Sequence, residues 1–212
     1  MNTRKGWTLI ETLVALSLFS LILLVVTGSL TSTSRLTRAQ VQRSVRQSLL
    51  QSTMARMEKM LQRSAVAGIA WLRTPSEGAV LAAHCLQQGC VTTALPTYEP
   101  HWQCLIWDEA GHSLFLAESQ PAGGFAAPAS THLQAMPAAQ LQAILTQETP
   151  LTQVLVRGRR LADRVVGFHY TLETGPLFLL ELEMDVPPFD RSPATAKERL
   201  KASLRVHPRN RI

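Results

Sequence analysis

The chain has 212 residues, of which 46% are apolar, with a mean hydropathy of +0.05 and a formal net charge of +6. Charged residues make up 17%, fewer than the roughly 25% of an average soluble protein. No run of five or more Lys or Arg exists, so the basic balance does not mark a polybasic arm for nucleic acid or lipid. The length suits one membrane helix followed by one globular domain of ordinary size.

The first element is a short basic leader, residues 1–6, with Arg4 and Lys5. It runs into a segment with no charged residue from Thr12 to Ser34, about 23 positions. At roughly 1.5 Å per residue this is long enough to cross a hydrocarbon core of about 30 Å. The leader is too short for a secretory signal peptide, and no small-residue cleavage site follows the apolar run, so the span is expected to stay in the mature chain. Glu11 stands at its start. A carboxylate near the centre of a span costs about 2.5–3.5 kcal/mol, and less near an end where it reaches the interface; such a group is a functional candidate whose partner has to be found.

The residues around Glu11 narrow the choice. Gly6-Trp7-Thr8-Leu9-Ile10-Glu11-Thr12-Leu13 resembles the N-terminal cleavage and methylation motif of type IV prepilins and pseudopilins. In that family a basic leader ends in Gly, and an aromatic residue, a small polar residue, two aliphatics and a Glu follow. Trp7 departs from the usual Phe or Met. The resemblance implies that a membrane-embedded prepilin peptidase cuts between Gly6 and Trp7 and methylates the new amine. A glycine at the cut has no Cβ to hinder close backbone approach. It also implies that Glu11 pairs with the amine of a neighbouring subunit, regaining attraction in a low-dielectric place and so registering assembly. Arg4 and Lys5 leave with the leader, so the mature chain carries about +4. A bare count of Arg35, Arg38, Arg43 and Arg46 against the leader would leave the C-terminal part in the cytoplasm. The motif requires the opposite: leader in the cytoplasm, anchor in the inner membrane, head exported.

Beyond the membrane half of the stem (7–34), residues 35–67 read as its amphipathic half. Leu36, Val41, Val45, Leu49, Met54, Met57 and Leu61 recur at steps of three to five and form one stripe, with Arg43, Arg46, Gln47, Gln51, Arg56 and Lys59 mostly off it. No Pro interrupts from Trp7 to Leu72, so one helix from Trp7 to Arg63, about 57 residues and roughly 85 Å, is predicted. Met54, Met57 and Met60 read as core. The expected fold class is α+β, a long N-terminal helix packed against a small antiparallel sheet, with the head over 68–212.

Gly68 to Pro100 reads as a loop region with a turn at Thr74–Gly78 and a short strand at Val80–Ala83. Cys85 and Cys90 close a short loop with Gly89 between them, and Cys104 is left over. An 85–90 disulfide is the first reading; 85–104, 90–104 and free thiols stay open, and Cys-x4-Cys plus one Cys is a poor zinc set. His101–Glu118 is a hairpin, Cys104–Trp107 against Ser113–Ala117, turning at Asp108–Gly111. Asp108 and Glu109 alone fall far short of a calcium site. About 119–150 reads as a loosely packed insertion with a short helix at Ala138–Leu145. Strands follow at Val154–Val156 and Val165–Leu172. Leu177–Val186 alternates Leu180, Leu182, Met184 and Val186 with Glu181, Glu183 and Asp185. The last strand alternates Leu200, Ala202, Leu204 and Val206 with Lys201, Ser203 and Arg205, so acidic and basic faces meet if the two pair. Ala194–Glu198 reads as a helical turn.

The entry Leu161-Ala-Asp-Arg-Val-Val-Gly-Phe168 and the closing strand ending near Arg209-Asn210 resemble the C-terminal part of PilW/PulJ-type minor pilins and pseudopilins. Nothing in the chain reads as a nucleophile elbow, a phosphate-cradling loop or a zinc-protease helix, and His84, His101, His112, His132, His169 and His207 are scattered. No enzyme activity, cofactor or metal is therefore expected. The reading is a structural subunit that primes or caps a type IV pilus or a type II secretion pseudopilus, with other pilins as partners. The alternatives are a DNA-uptake pilin that contacts nucleic acid through the basic tail Arg199–Arg211, and an anchored binding module.

Overall fold

A computed structural model describes residues 8–75, 77–87, 97–120, 125, 127, 133–146, 155–173, 177–186 and 198–207. The fold is α+β, as expected. Helix α1 spans Leu9–Gln62, 54 residues, or about 81 Å. Every residue from Thr8 to Arg38 is exposed, and the first buried one is Leu50. The head grips only the end of the helix, through Leu50, Thr53, Met54, Met57, Met60 and Leu61. The stripe read from the sequence therefore divides. Leu49 to Leu61 packs, while Leu36, Val41 and Val45 stay 71, 56 and 61% exposed.

The helix stops at Gln62, short of residue 67. Arg63 caps it and accepts from the Leu86 N–H through its carbonyl at 2.8 Å. Strand β1 (Ser64–Thr74) follows at once, where a helix end and then a loop were expected. Local preference loses here to tertiary pairing. Ser64-Ala-Val-Ala-Gly-Ile-Ala is tolerable helix sequence, but across β1 lies β2 (Gly78–Leu86), apolar except for His84 and buried from Gly78 to Cys85. The turn between them needs Gly78, at φ +124°, where a Cβ would fall 1.9 Å from the Trp107 carbonyl oxygen.

Strand β2 pairs with β3 (Tyr98–Asp108), which reaches past Pro100 to Tyr98, well upstream of the expected start at Cys104. The predicted hairpin is present: β3 pairs with β4 (Ser113–Ser119), Cys104 opposite Ala117 and Asp108 opposite Ser113. Its turn is a plain one, with the Asp108 carboxylate accepting from the Gly111 N–H at 3.0 Å. After α2 (Ala138–Leu145), which matches the expected short helix, β5 (Leu155–Asp163) completes a five-stranded antiparallel meander in the order β1-β2-β3-β4-β5. It extends well beyond the short Val154–Val156 strand expected there. Arg164, at φ 56°, turns the chain into a second, three-stranded sheet, β6 (Val165–Leu172), β7 (Phe178–Val186) and β8 (Glu198–Val206). The head thus holds two sheets where one small sheet was expected. Glu198 begins β8, and the rest of the expected helical turn at 194–198 lies outside the described residues.

Two cores result. The inner one joins the helix end (Leu50, Met54, Met57, Leu61) to Leu81, Leu105, Trp107, Leu114, Phe168, Leu180, Leu182 and Met184, so helix and both sheets share it. The Trp107 Nε1–H donates to the Val165 carbonyl at 3.2 Å, and Trp71 meets Phe168 edge-on at 5.3 Å, tying the sheets together. The outer core lies on the other face of the five-stranded sheet: Val80, Ala82, Trp102, Cys104 and Ile106 under Phe125, Met136, Leu141, Ile144 and Leu145. The described part of the 119–150 insertion is therefore packed, which corrects the expectation of a loose one. A sheet apolar on both faces needs a cover on each, and this segment is the second cover.

Charge completes the seating. Arg46 of the stem makes a two-pronged pair with Asp163, and Arg43 meets Glu198 at 3.0 Å. On the second sheet Glu183 stands opposite Lys201 and Asp185 opposite Arg199, so the acidic and basic faces do meet. Truncating Leu61 (Leu61→Ala), which is wholly buried in the seat, is expected to cost about 2–5 kcal/mol in denaturant unfolding of the head, whereas Val45→Ala on the bare stem should stay within about 0.5 kcal/mol. Equal effects would mean that the seat extends further up the stem than the packing indicates.

Candidate functional site

The N-terminal end of α1 is the first place where chemistry gathers. Thr8 is the N-cap, extended at φ −78° and ψ 153°. Its hydroxyl accepts from the Glu11 N–H at 3.4 Å, and the Glu11 carboxylate accepts from the Thr8 N–H at 2.9 Å. This reciprocal capping box satisfies two donors that a helix start leaves without intrahelical partners. The carboxylate also sits in the first turn, at the positive end of the helix dipole. Sequence reasoning singled out Glu11 and missed Thr8, although Thr-x-x-Glu ahead of an apolar run is the signature of such a cap. Gly6 and Trp7, the residues flanking the expected cut, lie outside the described residues.

From Leu9 onward the helix is long and apolar enough to cross a membrane, with no part of its apolar window buried by the head. Most hydroxyls within it are satisfied locally. Ser17 donates to the Val14 carbonyl and Ser20 to that of Leu16, each at 2.8 Å, and Thr31 and Ser32 both donate to Gly28, each at 2.9 Å. Each hydroxyl bonded back to its own helix in this way is cheaper to carry through lipid. The stem end is thus a hydrogen-bonded apolar rod bearing one carboxylate.

The head holds a second polar cluster, beside the C-cap of α1. His84 is wholly buried, with Nε2 2.8 Å from the Glu99 carbonyl oxygen and Nδ1 accepting from the Gln134 N–H at 3.4 Å. Those two bonds fix the neutral tautomer with the proton on Nε2. Burial pulls the imidazole below its ordinary value of 6.5, although the Glu99 carbonyl and carboxylate pull the other way. Burial pushes the Glu99 carboxyl up, but hydrogen bonds from His101 and Arg63 and their charges outweigh it and hold it below its usual range. The cluster ties the helix end, β2, β3 and the outer layer together. Among the described residues no group of three or more His, Cys, Asp or Glu could hold a metal ion.

Cys85 and Cys104 are free, buried thiols. Cys85 packs into the inner core and Cys104 into the outer one, on opposite faces of the sheet, so these two do not pair. Burial pushes both up to about 12, which keeps them protonated and inert. Cys90, the expected partner of Cys85, lies outside the described residues. His169 is a structural residue, its Nδ1 2.8 Å from an Arg73 guanidinium nitrogen, and His112 occupies the β3–β4 turn at φ 49°.

With this geometry in view, the comparisons bear on one end of the molecule. Residues 1–27 match the prokaryotic N-terminal methylation motif. The match supports a type IV pilin-like precursor, a structural subunit processed by prepilin peptidase and anchored in the inner membrane by its first helix. It spans the leader, the capped helix start and most of the apolar rod. No curated protein and no solved structure gives a match.

The buried imidazole makes stability depend on pH in a readable way. The unfolded chain takes up the His84 proton near pH 6.5, and the folded chain only at lower pH, so acid favours unfolding across that window. The carboxyls of Glu99, Asp163 and Glu183 are all held low by cationic partners, so their contribution is lost only as pH falls below about 4. The melting temperature is therefore expected to fall in two stages on acidification, and His84→Gln should abolish the upper stage while sparing the lower. An upper stage that persists unchanged in the variant would dissociate His84 from the effect.

Proposed function

We propose that the chain is a minor pilin or pseudopilin of the PilW/PulJ type, which acts through shape and helix packing to prime or cap a type IV pilus or a type II secretion pseudopilus. The observation that carries this reading is the stem: a capped apolar helix, bare from Thr8 to Arg38, with the head seated on its last turns. A head that leaves that much apolar surface uncovered needs either lipid or other apolar helices around it. The two environments correspond to the membrane-held precursor and the assembled filament. Leader 1–6, membrane half 7–34, the further stem and the head would then be four working parts, with the head on the exported side.

Removal of Met1–Gly6 places a new cation on Trp7, one residue before the Thr8 N–H that Glu11 already binds. In assembly, Glu11 exchanges that intrahelical bond for the amine of a neighbouring stem. Pairing is favourable because both charges are otherwise expensive in a low-dielectric place.

Intact-mass and N-terminal peptide analysis of protein purified from cell membranes is expected to show a chain beginning at Trp7 and bearing one methyl group. Glu11→Ala should be inserted and cut as usual but absent from sheared filaments. A chain still starting at Met1 would end the reading, as would Glu11→Ala assembling at the normal level.

A further inference from the structure

Strand β5 is the open edge of the five-stranded sheet and carries a cluster of arginines that nothing above uses. No strand pairs its outer edge among the described residues. The stem closes only its far end, where the Thr53 hydroxyl donates to the Leu161 carbonyl at 3.5 Å and Arg46 takes Asp163. From Leu155 to Arg160 no described strand pairs with the outer backbone edge. Arg159 and Arg160 are exposed, as is Arg164 just beyond, and none has an ion-pair partner among the described residues; Arg160 acts on Asp163, which Arg46 already holds. A Cβ added at Gly158 would meet only Ala117 among the described residues, at 3.9 Å, so a side chain there has room.

The register gives the two arginines a particular disposition. Arg159 lies opposite Leu116 and Arg160 opposite Phe115. Leu116 packs toward the inner core and Phe115 toward the outer one, so the two guanidiniums leave opposite faces of the sheet. A nucleic-acid duplex lying on one face cannot use both. A strand added alongside β5 can, because its own side chains alternate between the same two faces.

We propose that β5 is a strand-addition edge that receives an extended acidic segment from another protein subunit. Main-chain hydrogen bonds to 155–160 supply the docking, and carboxylates at adjacent positions reach Arg159 on one face and Arg160 on the other. Among the described residues, no edge strand of a second copy fits as the donor. Its other edge strands are β1 and β6, with no acidic residue, and β8, where Glu198 stands among Arg199, Lys201 and Arg205; acidic β7 is central in its sheet. The inference is independent of the filament reading, since it concerns only the head.

The test uses the full chain in detergent micelles and a labelled octapeptide of β-branched residues with two adjacent glutamates at its centre. Fluorescence anisotropy should show saturable binding that weakens as salt rises and falls about tenfold in the Arg159→Gln/Arg160→Gln variant. Both positions are exposed, and an unchanged circular dichroism spectrum verifies the fold. Of two peptides N-methylated at odd or at even positions, one should lose binding, because only one set of amides faces β5. Equal binding by both methylated peptides would reduce the contact to charge alone and overturn strand addition. An unchanged affinity in the double variant would also overturn the proposal, as would a short DNA duplex that outcompetes the peptide and is equally sensitive to that variant.

Discussion

The structure depends on one helix being wanted by two environments. The turns from Leu50 to Leu61 are claimed by the head, while the turns from Leu9 to Leu30 are surrendered to whatever apolar medium lies outside it. Burial of Met57, Met60 and Leu61 anchors both sheets to the same rod and dominates the seating. The Arg46–Asp163 and Arg43–Glu198 pairs lie at the margin of that seat, where they set rotation and angle more than they add stability. Everything the head presents to a neighbour is aimed by this attachment.

The second constraint is the two-sidedness of the five-stranded sheet. Strand β2 is buried on both faces, and a strand with no polar face cannot end against water. One face is covered by the stem and the second sheet, the other by α2 and the segment leading into it. The head is therefore layered, with the five-stranded sheet in the middle, and His84 with Trp102 pins the outer cover: the imidazole accepts from the Gln134 N–H, and the indole N–H donates to the Gln134 carbonyl at 3.0 Å.

Much of this was legible in the residues. The uncharged span, the stem, the β3–β4 hairpin, α2, and the β6–β7–β8 alternation are all local patterns of period or punctuation, and each lies close to where its pattern placed it. The acidic and basic faces of β7 and β8 could be matched because register across a pair follows from alternation. Strand β1 was not legible, because Ser64–Ala70 has no period of its own and becomes a strand only beside β2. The length of β2 was underread for a related reason: an apolar run buried on both faces shows no alternation. Of the site, Glu11 stood out as a charge in an apolar field, whereas Thr8 needed the cap motif to be read in the same place. The stem–head ion pairs join residues more than a hundred positions apart, and no local signal could have matched them.

The capping box at the head of the stem has one further consequence. A carboxylate carried toward a bilayer is ordinarily a bare acceptor looking for water, but Glu11 arrives with one oxygen already bonded to its own backbone. The bond holds the carboxylate in one orientation and leaves its other oxygen open to a further donor. An acceptor anchored in that way has its place and direction at the mouth of the stem set by its own chain, before any outside donor approaches.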